Sequence, residues 1–230
     1  MIGVDRHEAE VQADLSTPEG RAAAVEAILA QTGGRLDAVV ASAGLTGGDP
    51  AVVKVNFFGA VELLEGLRPA LAASSAPRAA VVSSISSTQP ADADLVAACL
   101  ERDESRAVEL AEQVAADGRG SQVYSSSKAA LSQWIRATSV LDDWARAGIP
   151  LNAVAPGVVL TPMTTALFEN EAMKKVMDRA VPMPLNGYAG PEVIAKALAW
   201  FVSEDNTHAT GQILFVDGGA EAITRGPARF

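Results

Sequence analysis

The chain has 230 residues, 49% of them apolar and 20% charged, which suits one globular domain with a full core rather than a disordered or low-complexity chain. Its 18 Lys and Arg against 28 Asp and Glu give a net charge of −10 with no basic block, which argues against a nucleic-acid or anionic-membrane surface. One cysteine excludes an internal disulfide, two histidines leave no metal site of zinc type, and no apolar run reaches membrane-spanning length. Met1 to Glu8 turns charged too early for a secretory segment, so a soluble protein of a reducing, cytoplasmic setting is expected.

Ile2 to Val4 reads as a short buried strand and Val11 to Ala13 as another. Ser16-Thr17-Pro18-Glu19 supplies an N-cap and an early proline, so a helix with Val25, Ile28 and Leu29 on one face should run to about Gln31, where Gly33-Gly34 stops it. Leu36 to Ala41 is an apolar strand that ends in Ser42-Ala43-Gly44. From about Pro50 to Leu71 the apolar spacing turns helical, with Asn56 inside it, and Arg78 to Ser84 is the next strand. Val123, Ala130, Leu131, Trp134, Leu141 and Trp144 predict one periodic helix from near Tyr124 to a stop at Gly148. Leu151 to Ala155 is a strand, Pro191 and Glu192 open a helix carrying Ile194, Leu198 and Phe201, and Gln212 to Val216 is the last strand.

Short all-apolar strands alternating with helices predict an α/β fold, a parallel sheet with helices on both faces. Ligands of such sheets bind outside the carboxyl ends of the strands, where Ser42-Ala43-Gly44, Ser84 and Pro156-Gly157 fall. Two stretches break the rhythm. Residues 89–121 carry Leu95, Val96, Leu100, Val108, Leu110 and Val114 among charges and predict two short amphipathic helices as an insertion. Residues 163–190 hold Met163, Met173, Met177 and Met183, and soft thioether side chains suit a lid over an apolar ligand.

One spacing carries chemistry. Tyr124 and Lys128 are four apart and share a helix face, and an ammonium beside a phenol favours the phenolate, drawing its pKa down from about 10. Ser84 can donate to a substrate oxygen while the phenol gives or takes the proton, a relay suited to interconverting an alcohol and a ketone.

With these pieces in order the chain resembles the short-chain dehydrogenase/reductase family over its whole length. The resemblance rests on Ile2-Gly3-Val4-Asp5, Ala13-Asp14-Leu15, Ser42-Ala43-Gly44, Asn56, Ser83-Ser84, Tyr124 with Lys128, Asn152 with Pro156-Gly157, Thr161, and Gly211-Gln212 with Asp217-Gly218-Gly219. It implies a Rossmann-type doubly wound sheet, a nicotinamide cofactor, and a catalytic set of Asn56, Ser84, Tyr124 and Lys128. In that comparison Tyr124 is the acid/base, Lys128 also holds the nicotinamide ribose, Ser84 orients the substrate oxygen, and Asn56 supports the active-site helix. Asp5, Asp14, Leu15, Ala43, Gly44, Pro156, Gly157, Val159 and Thr161 complete the implied cofactor contacts. A carboxylate at the end of the Asp5 strand accepts from a ribose 2′-hydroxyl and repels a 2′-phosphate, which favours NAD, while Arg6 beside it leaves NADP open. The insertion, the Ser84-Ile85-Ser86-Ser87 context and the closing tail look most like 3α-hydroxysteroid dehydrogenase/carbonyl reductases and then coniferyl-type alcohol dehydrogenases. Apolar ring alcohols or ketones are thus the implied substrates, and a dimer assembled away from the insertion is the implied oligomer.

One departure from the family pattern has physical weight. No Thr-Gly-x-x-x-Gly-x-Gly run occurs, so the first strand and the backbone amides that would cradle a pyrophosphate are missing from this sequence. In the sheet order 3-2-1-4-5-6 that strand lies between the second and the fourth, and each backbone group orphaned and kept buried costs about 1–3 kcal/mol. A domain stable by only about 5–15 kcal/mol cannot absorb several of these. Either residues upstream of Met1 belong to the protein, or another chain or a rearranged sheet covers the gap. The alternative function is that of a catalytically inactive family member acting as an oligomer subunit or scaffold.

Overall fold

The computed structural model describes residues 1–161, 164 and 170–229. Strands β1 (Val4–Asp5) and β2 (Val11–Gln12) precede helix α1 (Pro18–Thr32). Thr17 caps that helix by accepting from the Gly20 amide, and Gly33 ends it with φ of 61°, a left-handed turn that glycine takes without strain. Strand β3 (Ala38–Ala41) leads into a helical run made of α2 (Ala51–Val53), a π-helical stretch (Lys54–Gly59) and α3 (Ala60–Ala72). Strand β4 (Arg78–Val82) and a short turn of 3₁₀ helix (Ile85–Thr88) come next.

Within 89–121 lie α4 (Ala93–Leu100) and α5 (Glu104–Val114), capped by the Asp92 and Asp103 carboxylates. Helix α6 (Ser121–Thr138), strand β5 (Leu151–Pro156), helix α7 (Glu171–Ala180), helix α8 (Pro191–Phe201), strand β6 (Ile213–Val216) and helix α9 (Ala220–Arg225) follow. The periodic helix expected from Tyr124 to Gly148 is in fact two pieces. α6 stops at Thr138, and a separate π turn, Asp142–Arg146, brings Trp144 back edge-on to Trp134 with ring centroids 6.3 Å apart. Both pieces face the core, so their apolar pattern runs on across the break.

The sheet is parallel throughout and comes in two parts. β3, β4, β5 and β6 pair in that order, with Ala41 opposite Val81, Val81 opposite Ala153 and Ala153 opposite Ile213. This register aligns the carboxyl ends, so Ser42, Ser84 and Gly157 leave the sheet along one rim. β1 pairs only with β2, and among the described residues no strand joins β1 to β3. The gap falls where the sequence pattern lacks a strand. Val39 and Ala41 of β3 point into the main core, while Val40, on the other face, is 43% exposed.

Helices α3, α4 and α6 cover one face with a continuous core that includes Phe57, Phe58, Leu64, Leu95, Leu131 and Ile135. The other face carries a smaller cluster of Ala80, Val154, Ile194 and Phe201 beneath α8. α1 packs closely on α3: a Cβ at Gly66 would sit 2.7 Å from a Val25 methyl, so only glycine permits the approach. At the far end of that contact Arg21 is fully buried. Its Nη2 donates to Glu104 Oε2 at 2.6 Å, its Nε lies 3.0 Å from Glu62 Oε2, and its guanidinium carbon is 5.9 Å from the Phe58 ring centroid.

Candidate active site

α6 is buried on most of its circumference, which is why its polar residues must find partners inside the protein. Its row Tyr124, Lys128 and Ser132 runs at i, i+4, i+8 along the end of β4. The Lys128 Nζ donates to the Val82 carbonyl at 2.9 Å, the Ser132 and Ser83 hydroxyls are 2.7 Å apart, and Tyr124 and Ser84 line one cavity. Two successive residues at the exit of β4, Val82 and Ser83, are thus matched to two successive turns of the helix.

Asn56 stands on the other side of Lys128, within the π-helical stretch, an insertion of the kind that often marks functional sites. Its Oδ1 accepts from the Leu45 amide at 2.8 Å, and its Nδ2 donates to the Leu45 carbonyl at 2.9 Å and to Ser127 Oγ at 3.1 Å. Ser127 in turn donates to the Tyr124 carbonyl at 2.7 Å. Gly44 fits between these groups: a Cβ there would lie 3.3 Å from Asn56 Oδ1 and 3.7 Å from Lys128 Nζ.

Burial pushes the Lys128 ammonium down to about 8, since an apolar surrounding disfavours its charge. The same effect pushes the Tyr124 phenol up, and the Ser84 hydroxyl offsets only part of it. This differs from the expectation that Lys128 draws the phenol down. The ammonium is 6.0 Å from the ring centroid and spends a hydrogen bond on Val82, so desolvation outweighs its pull.

Ser84, Tyr124, Lys128, Gly44, Pro156, Gly157, Val159 and Thr161 line one cavity of about 390 Å³. Asn56 stands behind its wall at Gly44. Ser42, expected at this rim, is also in the lining; sequence reading had not singled out Leu45 or Thr164 there, and it had placed Ile194 and Leu198 only on a helix. With Ala195 they make an apolar wall from α8. Asp5, Asp14, Leu15 and Ala43 lie outside this lining. Asp5 accepts from the His7 amide at 3.0 Å, and Asp14 accepts from the Ser16 amide and hydroxyl, which hold its carboxyl below the usual range.

Of the lid segment expected at 163–190, Met163 lies outside the described residues. Met177 and Met183 pack against Ile85, Val158 and Val181, whereas Met173 is exposed. Among the described residues no group of His, Cys, Asp and Glu suits a metal ion, and no helix is long and apolar enough to cross a membrane.

A buried ammonium beside a phenol and a serine, at the carboxyl rim of a parallel sheet, fits the nicotinamide and ribose end of a dinucleotide. The fit is one-sided, because no glycine-rich turn is present to receive the pyrophosphate.

A sequence model described as enoyl-(acyl carrier protein) reductase matches residues 3–221. The 3α-hydroxysteroid dehydrogenase/carbonyl reductase of Comamonas testosteroni is 34% identical over 234 aligned residues, spanning 100% of this chain and 90% of that protein. Among solved structures, the 3α-hydroxysteroid dehydrogenase of Pseudomonas sp. B-0831 complexed with NADH superposes with a TM-score of 0.88 at 42% identity, over 97% of this chain and 88% of that one. Levodione reductase, at 21% identity and a TM-score of 0.70 over 94% of this chain and 79% of its own, shares the fold. The chain is therefore a member of the short-chain dehydrogenase/reductase family of NAD(P)-dependent oxidoreductases, with a hydroxysteroid dehydrogenase-like sequence.

Proposed function

We propose that the protein interconverts a hydroxyl and a carbonyl on an apolar ring compound, a 3α-hydroxysteroid or an aromatic alcohol, with Tyr124 as acid/base and NAD as the preferred cofactor. The observation that carries this reading is the meeting of Tyr124, Ser84 and Lys128 in one cavity. When bound, the cofactor supplies or accepts the hydride. Ser84 orients the substrate oxygen. In reduction the Tyr124 phenol protonates that oxygen, and in oxidation the phenolate removes its proton. Lys128 is fixed beside Tyr124 by Val82 and the helix, and Asn56 ties that helix to the Leu45 loop through Ser127.

Leu45, Val159, Ile194, Ala195 and Leu198 make the cavity apolar, which supports a ring substrate. The two related hydroxysteroid enzymes point the same way. NAD preference rests on Asp5 at the end of β1. The Arg6 Nε lies 3.4 Å from His7 Nε2, and a carboxylate at a strand end of this kind accepts from a ribose 2′-hydroxyl. We read residues 1–230 as one domain, in which 89–121 is a helical insertion and 163–190 a substrate lid. The insertion covers α6, which leaves assembly as a dimer to another surface, in a cytoplasmic setting.

Titrating NAD and NADP into the purified chain while following protein fluorescence tests the reading, followed by a panel of steroids and cinnamyl-type alcohols. Tighter binding of NAD and turnover of at least one ring alcohol are expected. A folded sample that binds neither nucleotide would leave the scaffold reading ahead.

A further inference from the structure

The three serines between Tyr124 and Lys128 are all buried, yet they face three different partners. Ser127 belongs to the Asn56 contact. Ser125 Oγ donates to the Pro90 carbonyl at 2.6 Å, and Ser126 Oγ accepts from the Asp92 amide at 2.9 Å. The first turn of the catalytic helix is therefore fastened to the segment that follows Ser84. Asp92 also closes the insertion on itself. Its Oδ1 accepts from the Leu95 amide at 3.1 Å to cap α4, and its Oδ2 accepts from Arg119 Nη1 at 2.8 Å. Arg119 stands two residues before α6, and it also reaches Gln122 Oε1 at 3.3 Å and Asp117 Oδ2 at 3.2 Å.

The two ends of the insertion are thus joined at Asp92 and Arg119, and the joint is bolted to the residues that flank Tyr124. From Ser84 the chain passes through one 3₁₀ turn and reaches the joint within eight residues. A shift of the joint moves Ser84 and Tyr124 relative to one another, because both are tied to it through short, hydrogen-bonded segments.

We propose that Arg119, Asp92 and Ser126 are positioning residues: a latch through which the helical insertion sets the approach of Ser84 to Tyr124. The inference rests on the reading of those two residues as a catalytic pair. It explains why an insertion lies between Ser84 and Tyr124 in sequence and is pinned beside both in space. Misplacing a reacting group by about 1 Å can cost on the order of a hundredfold in rate. Loss of one external bond of the latch is expected to lower kcat by roughly tenfold, with cofactor affinity unchanged within about twofold.

The chain has two tyrosines, so 3-fluorotyrosine incorporated into a Tyr188→Phe background reports on Tyr124 alone by ¹⁹F NMR. Ser84→Ala in that background gives the shift and the rise in phenol titration midpoint that accompany loss of the Ser84 hydroxyl. Arg119→Gln and Ser126→Ala are expected to move the resonance and the midpoint in that same direction by half the control shift or more, and Arg119→Lys, which keeps the cation, by less. A Tyr124 signal and midpoint that stay at their starting values in Arg119→Gln and Ser126→Ala, while Ser84→Ala moves them, would overturn the latch. If Ser84→Ala itself leaves the signal in place, the catalytic pairing fails instead. Because the readout needs no substrate, absence of turnover in the parent chain would count against the proposed function and leave the latch to be decided by the spectra.

Discussion

The Lys128 Nζ donates to the carbonyl of Val82 at 2.9 Å, so the charge nearest the phenol is fastened to the last residue of β4. The site is built on that strand end: Ser83 and Ser84 follow directly, Ser83 bonded to Ser132 one turn further along α6 and Ser84 lining the cavity with Tyr124. Backbone and ammonium hold one another, which keeps a long flexible side chain in one place.

Burial of Lys128 should be readable in stability against pH. Its folded-state pKa is depressed to about 8 from 10.5, so between these values the unfolded chain holds a proton that the folded chain has shed. The wild type should therefore gain stability relative to Lys128→Met as pH rises from 8 to 10, by about 1.4 kcal/mol per unit at most. Below pH 8 the difference should be flat. Urea unfolding of both proteins across this range checks it, and parallel curves would show that the ammonium is not desolvated.

Tyr124→Phe should lower turnover by at least 10²-fold, the lower end of what a positioned acid/base contributes, with little change in cofactor affinity. Lys128→Ala should damage both turnover and cofactor binding. Steady-state kinetics and nucleotide titration separate the two, and undiminished activity in the Phe variant would refute the assignment.

Gly44→Ala places a methyl 3.3 Å from Asn56 Oδ1, closer than side chains usually pack. Asn56 must then give way at Leu45 or at Ser127. The expected outcome is a stability loss of about 1–2 kcal/mol together with a fall in activity, measured by thermal unfolding and turnover. A fully active, equally stable variant would show that this wall has slack.

Arg21→Met leaves Glu62 and Glu104 facing one another at the edge of the α1–α3 contact. Breaking one side of a buried ion pair is expected to cost about 3 kcal/mol. Adding Glu62→Gln and Glu104→Gln to that variant should recover part of the loss, because Arg21 Nη1 has no hydrogen-bond partner even in the parent and the network is imperfect. Denaturant midpoints of the single and triple variants decide it, and strictly additive losses would argue that the three do not act together.

Much of this was legible in the sequence. Thr17 and Gly33 marked both ends of α1 because capping and left-handed turns demand those residue types. The i,i+4 spacing of Tyr124 and Lys128 and the strand end at Ser84 pointed to residues that line one cavity. The π-helical stretch around Asn56 was not legible, since no local residue pattern distinguishes it from ordinary helix. Neither was the break after Thr138, because Trp134 and Trp144 face the same core from separate pieces. Ile194 and Leu198 looked like core positions, and an apolar helix face has the same spacing whether it meets a neighbouring strand or a cavity. The partners of Lys128 and Ser125 are carbonyl oxygens, which every residue carries and no sequence motif announces.

The open side of β3 has a consequence for handling the protein. Among the described residues the outer edge of β3 carries no neighbouring strand and Val40 is exposed on its face, a template on which another extended segment can add. Concentrated solutions should therefore show growth of β-structured aggregates that a charged substitution, Val40→Lys, slows. Dye-binding kinetics at several protein concentrations would register it, with the lag shortening as concentration rises.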